Sequence, residues 1–209
     1  MRPSMTWFAR AATALLTLVA TATVLTPGGA TAAAPGGRTF LKATTIRSDD
    51  GKVLPATIYR LPNGYTETVV EPAAFQKALA AAAESSDPCG YVCDGKNPAT
   101  YPVLGRDGHT YLCGSDAFSP RTLNGGYAVV ELRYSPRCRT AWTRGCCYTV
   151  FSGFSYYSNG VQRDWVYAEA RNSGKSVYTV MLNDAYLQYK ACYDSQIGGT
   201  PEWACTGKY

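Results

Sequence analysis

YAVVELRYSPRCRTAW, residues 127–142, is the stretch that decides the fold. Its first half is rich in strand-forming residues, and the apolar side chains of Val130, Leu132 and Tyr134 alternate with charged ones. A period of two with one apolar side predicts a half-buried β-strand. The rest of the chain has to pack on the apolar side of this strand.

The second half of the stretch predicts a short helix. The Ser-Pro pair at 135–136 is typical of an N-cap and a first helical position, and Gly145 is typical of the residue just past a helix end. Such a helix would place Cys138 and Trp142 on one face. Its other face would hold Arg137, Arg139 and Arg144.

The first 32 residues have the features of a secretory signal peptide. Arg2 and Arg10 supply positive charge, an uncharged apolar run fills residues 11–25, and Ala-Thr-Ala at 30–32 offers the small residues of a cleavage site. The run is shorter than the roughly twenty residues that span a bilayer. We therefore expect a secreted, extracellular protein with no membrane span after signal cleavage.

The charge balance does not point to a nucleic-acid partner or to a strongly acidic one, and no nucleic acid is expected. The chain has 20 basic and 15 acidic residues, a formal net charge of +5, and loss of Arg2 and Arg10 leaves 18 against 15, or +3. A mildly basic chain of this kind lacks the concentrated positive field that nucleic-acid binding requires. The expected partners are instead a cell-wall polymer or another secreted protein.

Local patterns divide the chain at residue 89. Before it, β-branched runs flank an Asp-Asp-Gly-Lys turn, which predicts a hairpin, and an alanine-rich helix opens at Pro72 with Phe75, Leu79 and Ala82 on its buried face. The predicted elements here are strands at 39–46, 53–60 and 65–70 and a helix at 72–84. The predicted divisions are a signal peptide at 1–32, a disordered leader at 33–38, an N-terminal β-hairpin/helix extension at 39–88 and a cysteine-rich β domain at 89–209.

Composition after residue 89 predicts an antiparallel β fold. Loops rich in Gly, Pro, Asp and Cys extend to residue 127, with one short extended piece at 110–112. Strands at 146–157, 161–170, 176–182 and 185–193 follow, and residues 200–203 predict a last helical turn. This strand spacing is typical of a meander, sandwich or small barrel. The expected fold class is α+β, mainly antiparallel β with short helices, stapled by disulfides.

Cysteine usage predicts disulfides. An even number of cysteines in a secreted chain is typical of a disulfide framework, and the sequence leaves the connectivity open. A direct bond between the adjacent Cys146 and Cys147 would be strained, so each is expected to have a distant partner. The gap between Cys89 and Cys93 is not the usual zinc spacing, so no metal site is expected. The eight cysteines are Cys89, Cys93, Cys113, Cys138, Cys146, Cys147, Cys192 and Cys205.

Three motifs carry a resemblance to a known family. They are CDGKNP at 93–98, VELRYS at 130–135 followed by Cys138, and MLNDA at 181–185 followed by Cys192. Over roughly residues 89–194 the chain resembles an actinobacterial secreted family of unknown function, the YjfA-like family. The resemblance implies an exported, disulfide-bonded, β-rich domain and no particular reaction.

The resemblance also suggests one cysteine pair. Cys138 and Cys192 belong to the part that resembles the family, whereas Cys146, Cys147 and Cys205 do not. Pairing within the matched set is the economical arrangement. We therefore expect a Cys138–Cys192 bridge that ties the predicted helix to the last long strand and stabilises the fold by about 4 kcal/mol.

Candidate catalytic groups are few. His109, the one histidine, lies in the turn sequence RDGHT, and no Gly-x-Ser-x-Gly elbow accompanies it. Glu131 is the best placed acid. The neighbouring Arg133 favours an ion pair with it over a catalytic role as one of the two carboxylates of a glycosidase. The acidic turn at 94–97 lacks the spacing of a calcium loop. We expect no catalytic residue and no cofactor.

The favoured function is a non-catalytic secreted binding or interaction module. An arginine cluster suits an anionic wall polymer, and an exposed aromatic platform suits a sugar or a protein partner. Two simpler explanations stay open: the arginines could form a solvated helix face, and the aromatic residues could have a purely structural role. Two other functions also stay open, a small hydrolase that uses His109 or paired carboxylates and a disulfide-rich inhibitor or toxin. The candidate binding residues are Arg133, Arg137, Arg139, Arg144, Tyr156, Tyr157 and Trp165.

Overall fold

A computed structural model describes residues 37–84, 89–147, 149–170, 175–196, 200 and 202–209. The predicted signal peptide and most of the predicted leader lie outside these residues. The strands are β1 (Thr39–Arg47), β2 (Val53–Arg60), β3 (Thr66–Val70), β4 (Pro102–Leu104), β5 (Thr110–Leu112), β6 (Phe118–Asn124), β7 (Val129–Ser135), β8 (Thr140–Cys146), β9 (Val150–Tyr156), β10 (Gln162–Glu169), β11 (Ser176–Tyr178), β12 (Leu182–Asn183), β13 (Gln188–Asp194) and β14 (Trp203–Cys205). The helix α1 covers Pro72–Ala83, and short 3-10 turns cover Gly90–Cys93 and Cys113–Asp116.

The larger sheet has the strand order β1-β2-β3-β6-β7-β8-β11, and β12 also pairs with β8. All of its strand pairs are antiparallel, and β3 joins β6 through the partners Thr66 and Asn124. The strands of the predicted extension are therefore continuous with the strands of the cysteine-rich part. The predicted β1–β2 hairpin is confirmed, with Gly51 at a φ of 87° in its turn.

The predicted helix after Ser135 is wrong, because the chain makes one turn and returns as β8. The Ser135 hydroxyl accepts a hydrogen bond from the Cys138 amide at 3.1 Å, as an N-cap would, and the Arg139 amide donates to the Ser135 carbonyl at 2.9 Å. The turn ends at Arg139, whose φ is 55°. Residues 140–146 then pair with β7, since β-branched and aromatic side chains such as Thr140 and Trp142 favour a buried strand over a second helical turn.

A second, four-stranded sheet with the order β10-β9-β13-β14 packs against the larger one. The core between the sheets includes Leu132 and Tyr134 from β7, Phe151 from β9, and Tyr189 from β13. Gly153 is required here, because a Cβ on it would lie 1.5 Å from the Tyr189 hydroxyl. The expected α+β class, mainly antiparallel, is confirmed as a sandwich of two sheets, with β4 and β5 as a separate two-stranded ribbon.

Helix α1 covers one end of the sandwich with a single large side chain. Phe75 is buried, and its ring lies 5.7 Å from that of Phe118 and 5.3 Å from that of Tyr134. Leu79 and Ala82, also predicted on the buried face, are half-buried. Pro at the first helical position fixes the start of the helix without the loss of a backbone hydrogen bond.

All eight cysteines form disulfides, as predicted, but two of the expectations about their partners are wrong. The pairs are Cys89–Cys93, Cys113–Cys138, Cys146–Cys147 and Cys192–Cys205. The expected Cys138–Cys192 bridge does not form, because Cys192 faces Cys205 on the adjacent strand β14, while Cys138 lies in the β7–β8 turn beside Cys113. The adjacent Cys146 and Cys147 bond to each other rather than to distant partners.

The end of the described chain also differs from the sequence-based expectation. The predicted helical turn at 200–203 is wrong for residues 202–203, since Trp203 begins β14 and pairs with Asp194 of β13. The strand β6 was not predicted, because its Ser-Pro-Arg sequence breaks the alternating pattern. In the described ranges, none of the helices has the length and apolar character needed to cross a bilayer.

Candidate binding surface

The four-stranded sheet has one face in the core and one face turned outward. Phe151, Tyr189 and Tyr193 point into the core between the sheets. Side chains alternate along a strand, so Phe154, three residues after Phe151 on β9, belongs to the outer face, as does Lys190, which follows Tyr189 on β13. The register of the strands sets these outer residues in rows across the sheet.

Three large aromatic side chains are exposed on this outer face. Trp165 and Tyr167 lie two residues apart on β10, with exposed fractions of 52% and 59%, and their rings stack with centroids 5.6 Å apart and an interplanar angle of 23°. Trp203 on β14 is 36% exposed, and its ring meets that of Phe154 edge-on at 5.9 Å. Trp165 and Tyr167 on one edge strand and Trp203 on the other flank the two central strands, β9 and β13.

A trough of about 300 Å³ lies between these rings. Its floor is formed by Val150 and Ser152 of β9, whose short side chains leave the space open. The Ser152 hydroxyl is buried and has no hydrogen-bond partner among the described residues. We call this space the aromatic trough; its lining residues are Val150, Ser152, Trp165, Tyr167, Glu169, Asp194 and Trp203.

Two carboxylates lie at one end of the aromatic trough. Asp194 is buried, and its Oδ1 accepts hydrogen bonds from the amides of Gln196 at 3.0 Å and Glu202 at 3.2 Å. Glu169 is exposed at the end of β10. Together with the Ser152 hydroxyl, they give the apolar trough a small number of polar groups that can accept hydrogen bonds.

Lysines cover the other end of the outer face. The Lys190 ammonium lies 5.2 Å from the ring centre of Phe154 and 5.4 Å from that of Tyr156, and the Lys208 ammonium lies 3.8 Å from that of Tyr156. The ring of Tyr156 is therefore covered by two lysine ammonium groups, and the residue is only 8% exposed. The free ring faces of this sheet are those of the aromatic trough.

Comparison with known families adds one finding. Residues 91–192 match the family described as a protein of unknown function (DUF2690). No curated protein and no solved structure matches the chain. This match confirms the expected resemblance of this part of the chain to a family of unknown function, whereas the actinobacterial and YjfA-like attribution stays a prediction.

The span that matches DUF2690 contains most of the aromatic trough but not all of it. The floor residues on β9 and the stacked pair Trp165 and Tyr167 lie within the matched span. Trp203 and Asp194 lie beyond its end at Cys192, and the Cys192–Cys205 bridge ties β14 to the domain. The second wall of the trough is thus held by a segment outside the family match.

The structure separates the candidate aromatic residues. Trp165 is part of the aromatic trough, Tyr156 lies under the two lysines, and Tyr157 is 43% exposed in the β9–β10 turn. Among the other aromatics of this region, Phe151 is fully buried and Tyr178 lies on the larger sheet. Tyr148 lies outside the described residues. Tyr167 and Trp203 complete the trough, and only Tyr167 has a sequence signal, its i, i+2 spacing from Trp165.

The four candidate arginines do not form one basic surface, because Arg133 lies on β7 and the helix that would have aligned the other three is absent. Arg144 makes a two-pronged ion pair with Glu131 at 2.8 and 3.0 Å, and Arg137 lies over the ring of Tyr111 at 3.7 Å. Arg139 lines a separate cavity beside α1. The fourth arginine, Arg133, is buried.

Arg133 is held by the turn between β1 and β2. Its side chain is 4% exposed, and its guanidinium pairs with Asp49 and donates to the Ser119 hydroxyl at 3.1 Å and the Ala117 carbonyl at 3.3 Å. Burial lowers the pKa of Arg133, and the carboxylates of Asp49 and Glu131 oppose that effect. The side chain is a structural centre of the larger sheet rather than part of an open patch.

The residues considered for catalysis do not form a reactive cluster in the described parts of the chain. His109 is 78% exposed, and its Nδ1 lies 3.6 Å from Asp107 Oδ2 at the tip of the β4–β5 ribbon. Tyr111 donates a hydrogen bond to Asp107, and this bond is the largest cause of the lowered pKa of Asp107. Glu131 is engaged by Ser119 and Arg144. Neither group faces a nucleophile in a cleft.

The sulfur atoms of Cys89, Cys93 and Cys113 lie within 4.8 Å of one another, as metal ligands would. Their closeness results from the packing of two disulfides, since Cys89 bonds to Cys93 and Cys113 bonds to Cys138. A disulfide sulfur is not a thiolate and is a poor metal ligand. This cluster, packed with Trp142 and Met181, forms a second small core.

Proposed function

We propose that the protein is a secreted, non-catalytic binding module whose aromatic trough holds a carbohydrate chain of the cell wall. The observation that carries this proposal is the stacked, exposed pair Trp165 and Tyr167, which faces Trp203 across a floor of short side chains. Water-exposed rings in one contiguous patch are typical of an interaction site. An aromatic face attracts the polarised C–H groups of a sugar ring, which is why such rings suit a pyranose.

The polar groups of the aromatic trough support a sugar over a purely apolar partner. Glu169, Asp194 and Ser152 border the aromatic rings. Sugar hydroxyls donate and accept hydrogen bonds, so they suit the exposed carboxylate of Glu169 beside the rings. The trough therefore combines apolar stacking area with a few oriented acceptors, the usual composition of a ligand site.

Secretion is supported by two features of the chain. The signal-like run at residues 11–25 and the small residues at 30–32 predict export. All eight cysteines form disulfides, and stable disulfides are typical of extracellular proteins. An exported module would meet cell-wall polymer as its most abundant surface.

Co-sedimentation of the mature protein with purified cell wall tests this function. The double variant Trp165→Ala, Tyr167→Ala should bind at least about tenfold more weakly, because each tenfold corresponds to about 1.4 kcal/mol and stacked aromatic anchors are worth that or more. Tyr178→Ala is the matched control, since this tyrosine is 41% exposed but lies on the larger sheet. The control should bind as the wild type does.

The same assay distinguishes stacking from charge attraction. Binding through the aromatic trough should change little between low and high salt, because ring stacking is not screened by ions. Binding that collapses with salt and is indifferent to the double variant would contradict the proposal. Capture of a second exported protein without any wall polymer would assign the trough to a protein partner instead.

A further inference from the structure

A second cavity, of about 330 Å³, lies between α1 and the segment that leads into β13, away from the aromatic trough. One side is apolar and includes Phe75 and Leu79 of α1 and Leu187. The other side is polar and carries charged and phenolic groups. We call this space the helix cavity; its polar side consists of Arg121, Arg139, Asp184 and Tyr209.

Every residue of this polar side has a buried atom without a hydrogen-bond partner. These atoms are the Nε of Arg121, the Nε of Arg139, the Oδ1 of Asp184 and the hydroxyl of Tyr209. They make up four of the seven such atoms in the described residues. A buried polar group without a partner costs about 1–3 kcal/mol, and all four of these residues also line the helix cavity.

The fold holds these groups in place through contacts other than the missing hydrogen bonds. The Asp184 amide donates to the Arg139 carbonyl at 2.9 Å, which fixes the two residues beside each other. The backbone of Tyr209 pairs with that of Tyr189, and its ring packs edge-on against Phe75 at 4.3 Å. The site is therefore largely pre-formed, as small-molecule sites are.

The charges on the polar side favour a ligand with a single negative charge. The Arg121 guanidinium pairs with Glu67 at 3.0 Å, but Glu67 also pairs with Arg38 at 3.2 Å, so one carboxylate faces two guanidinium groups. Arg139 lies over the ring of Tyr186 at 5.5 Å, and among the described residues the charge that acts on it from within the cavity is that of Asp184. The Nε atoms of both arginines donate only, and the Tyr209 hydroxyl can donate as well.

Asp184 fits the same ligand. It is 5% exposed, and burial raises its pKa well above the ordinary value, against the attraction of Arg139 and Arg163. Burial disfavours the charged form of this carboxyl group. The other three residues of the polar side offer donors, namely the guanidinium N–H groups of Arg121 and Arg139 and the hydroxyl of Tyr209.

We infer that the helix cavity binds a small monocarboxylate with an apolar body. The carboxylate accepts hydrogen bonds from Arg139 and Tyr209, and the apolar body lies between Phe75, Leu79 and Leu187. A carboxylate on a guanidinium forms charge-assisted hydrogen bonds, which are the strongest of those available here. A cavity of this volume is at the lower end of the range for ligand sites, so the ligand is small.

Isothermal titration of the mature protein with three matched probes tests this inference. The probes are 3-phenylpropanoate, 3-phenylpropan-1-ol and 3-phenylpropylamine, which share one apolar body and differ in the head group. The carboxylate should bind at least about tenfold more tightly than the alcohol, and the amine should bind most weakly. Equal binding of carboxylate and alcohol, or no binding of the carboxylate in the millimolar range, would overturn the inference and leave a water-filled cavity.

A charge-matched pair of variants places the binding in the helix cavity. Arg139→Gln should weaken 3-phenylpropanoate binding at least about tenfold, since it removes the charged donor. Arg47→Gln removes the same charge from an exposed arginine that donates to the Gly51 carbonyl of its own turn, and should leave binding unchanged. If both variants weaken binding equally, the probe senses overall charge and the assignment to this cavity is wrong. Thermal melts of both variants verify that each is folded before titration.

Discussion

At the scale of single residues, the charged side of β7 is more buried than its pattern predicts. The alternation at residues 129–135 predicts an exposed Glu131 and Arg133, yet Arg133 is only 3% exposed. The turn between β1 and β2 brings Asp49 onto its guanidinium from 84 residues away. A strand pattern records which residues share a face, but it does not record that a distant turn will cover that face.

The Arg133–Asp49 pair should contribute measurably to stability. Asp49→Asn removes the carboxylate that pairs with a buried guanidinium, and we expect the free energy of unfolding to fall by about 1–2 kcal/mol. The loss is smaller than that of a fully buried pair, because the Asp49 side chain is 43% exposed. Urea denaturation measures this change. Asp164→Asn, at an exposed position 4.0 Å from Arg163, is the control and should stay within about 0.5 kcal/mol of the wild type. A loss as small as that of the control would contradict a structural role for the pair.

Asp116 should give the fold a distinct dependence on pH. Burial raises its pKa above the ordinary 3.8, although the Ser135 hydroxyl and the Arg137 amide donate to it at 2.6 and 3.0 Å. The native state therefore holds this proton at pH values where the unfolded state has lost it. The stabilisation is complete below pH 3.8 and is lost as the pH rises through the raised native pKa.

Asp116→Asn removes that titration. The unfolding free energy of the variant minus that of the wild type should increase as the pH is raised from 3.8, because the variant has no carboxyl group to ionise. Denaturation of both proteins across the acidic range measures the difference, in which the contributions of other acids cancel. A difference that stays flat or declines with pH would show that Asp116 is not held protonated.

At the scale of elements, strands are predictable wherever the alternation is local and the turn chemistry is explicit. The β1–β2 hairpin and the alternation of β13 follow directly from their residues. Strand β8 could not be predicted in this way. Ser135 forms a true N-cap hydrogen bond, which is typical of a helix start, and the pairing of β8 with β7 is what ends the turn at Arg139. The disulfide partners are equally non-local, since Cys192 meets Cys205 only through the pairing of β13 with β14.

The disulfides should differ in what they contribute to stability. The Cys113–Cys138 bridge spans 25 residues, and loss of both cysteines by substitution with alanine should lower the free energy of unfolding by about 3–4 kcal/mol on the chain-entropy model. The Cys146–Cys147 bridge joins adjacent residues, so its removal restores almost no freedom to the unfolded chain. Urea denaturation of the two double-alanine variants should therefore give clearly different losses. Equal losses would mean that restriction of the unfolded chain is not the main contribution.

At the scale of the whole molecule, the aromatic trough depends on segments that are distant in sequence. Trp165 could be selected from the sequence as a candidate, but the arrangement with Trp203 depends on β13 lying between β9 and β14. The pairing of strands across a sheet is set by the folded chain and not by local residue patterns. For the same reason, the sequence could name the arginines but could not show that they are dispersed.

Export should be visible in the mass of the protein. Intact-mass spectrometry of protein from the culture medium should show an N-terminus at Ala33 and a mass eight hydrogens below that of the fully reduced chain, since all eight cysteines are bonded. Full-length protein retained in cells would contradict the signal prediction. Native protein with titratable thiol would contradict the four bridges.

The central claim is that the aromatic trough contacts the wall polymer, and its indole groups report on that contact directly. Of the four tryptophans, Trp7 leaves with the predicted signal peptide, Trp142 is buried at 4% exposure, and Trp165 and Trp203 line the trough. Each indole N–H gives one signal in a proton–nitrogen NMR spectrum, assignable by single Trp→Phe substitutions. On titration with soluble fragments of cell-wall glycan, the signals of Trp165 and Trp203 should shift together and that of Trp142 should stay in place. Fragments that bind without moving Trp165 and Trp203, or that shift all three indoles alike, would contradict the assignment of the binding site to this sheet.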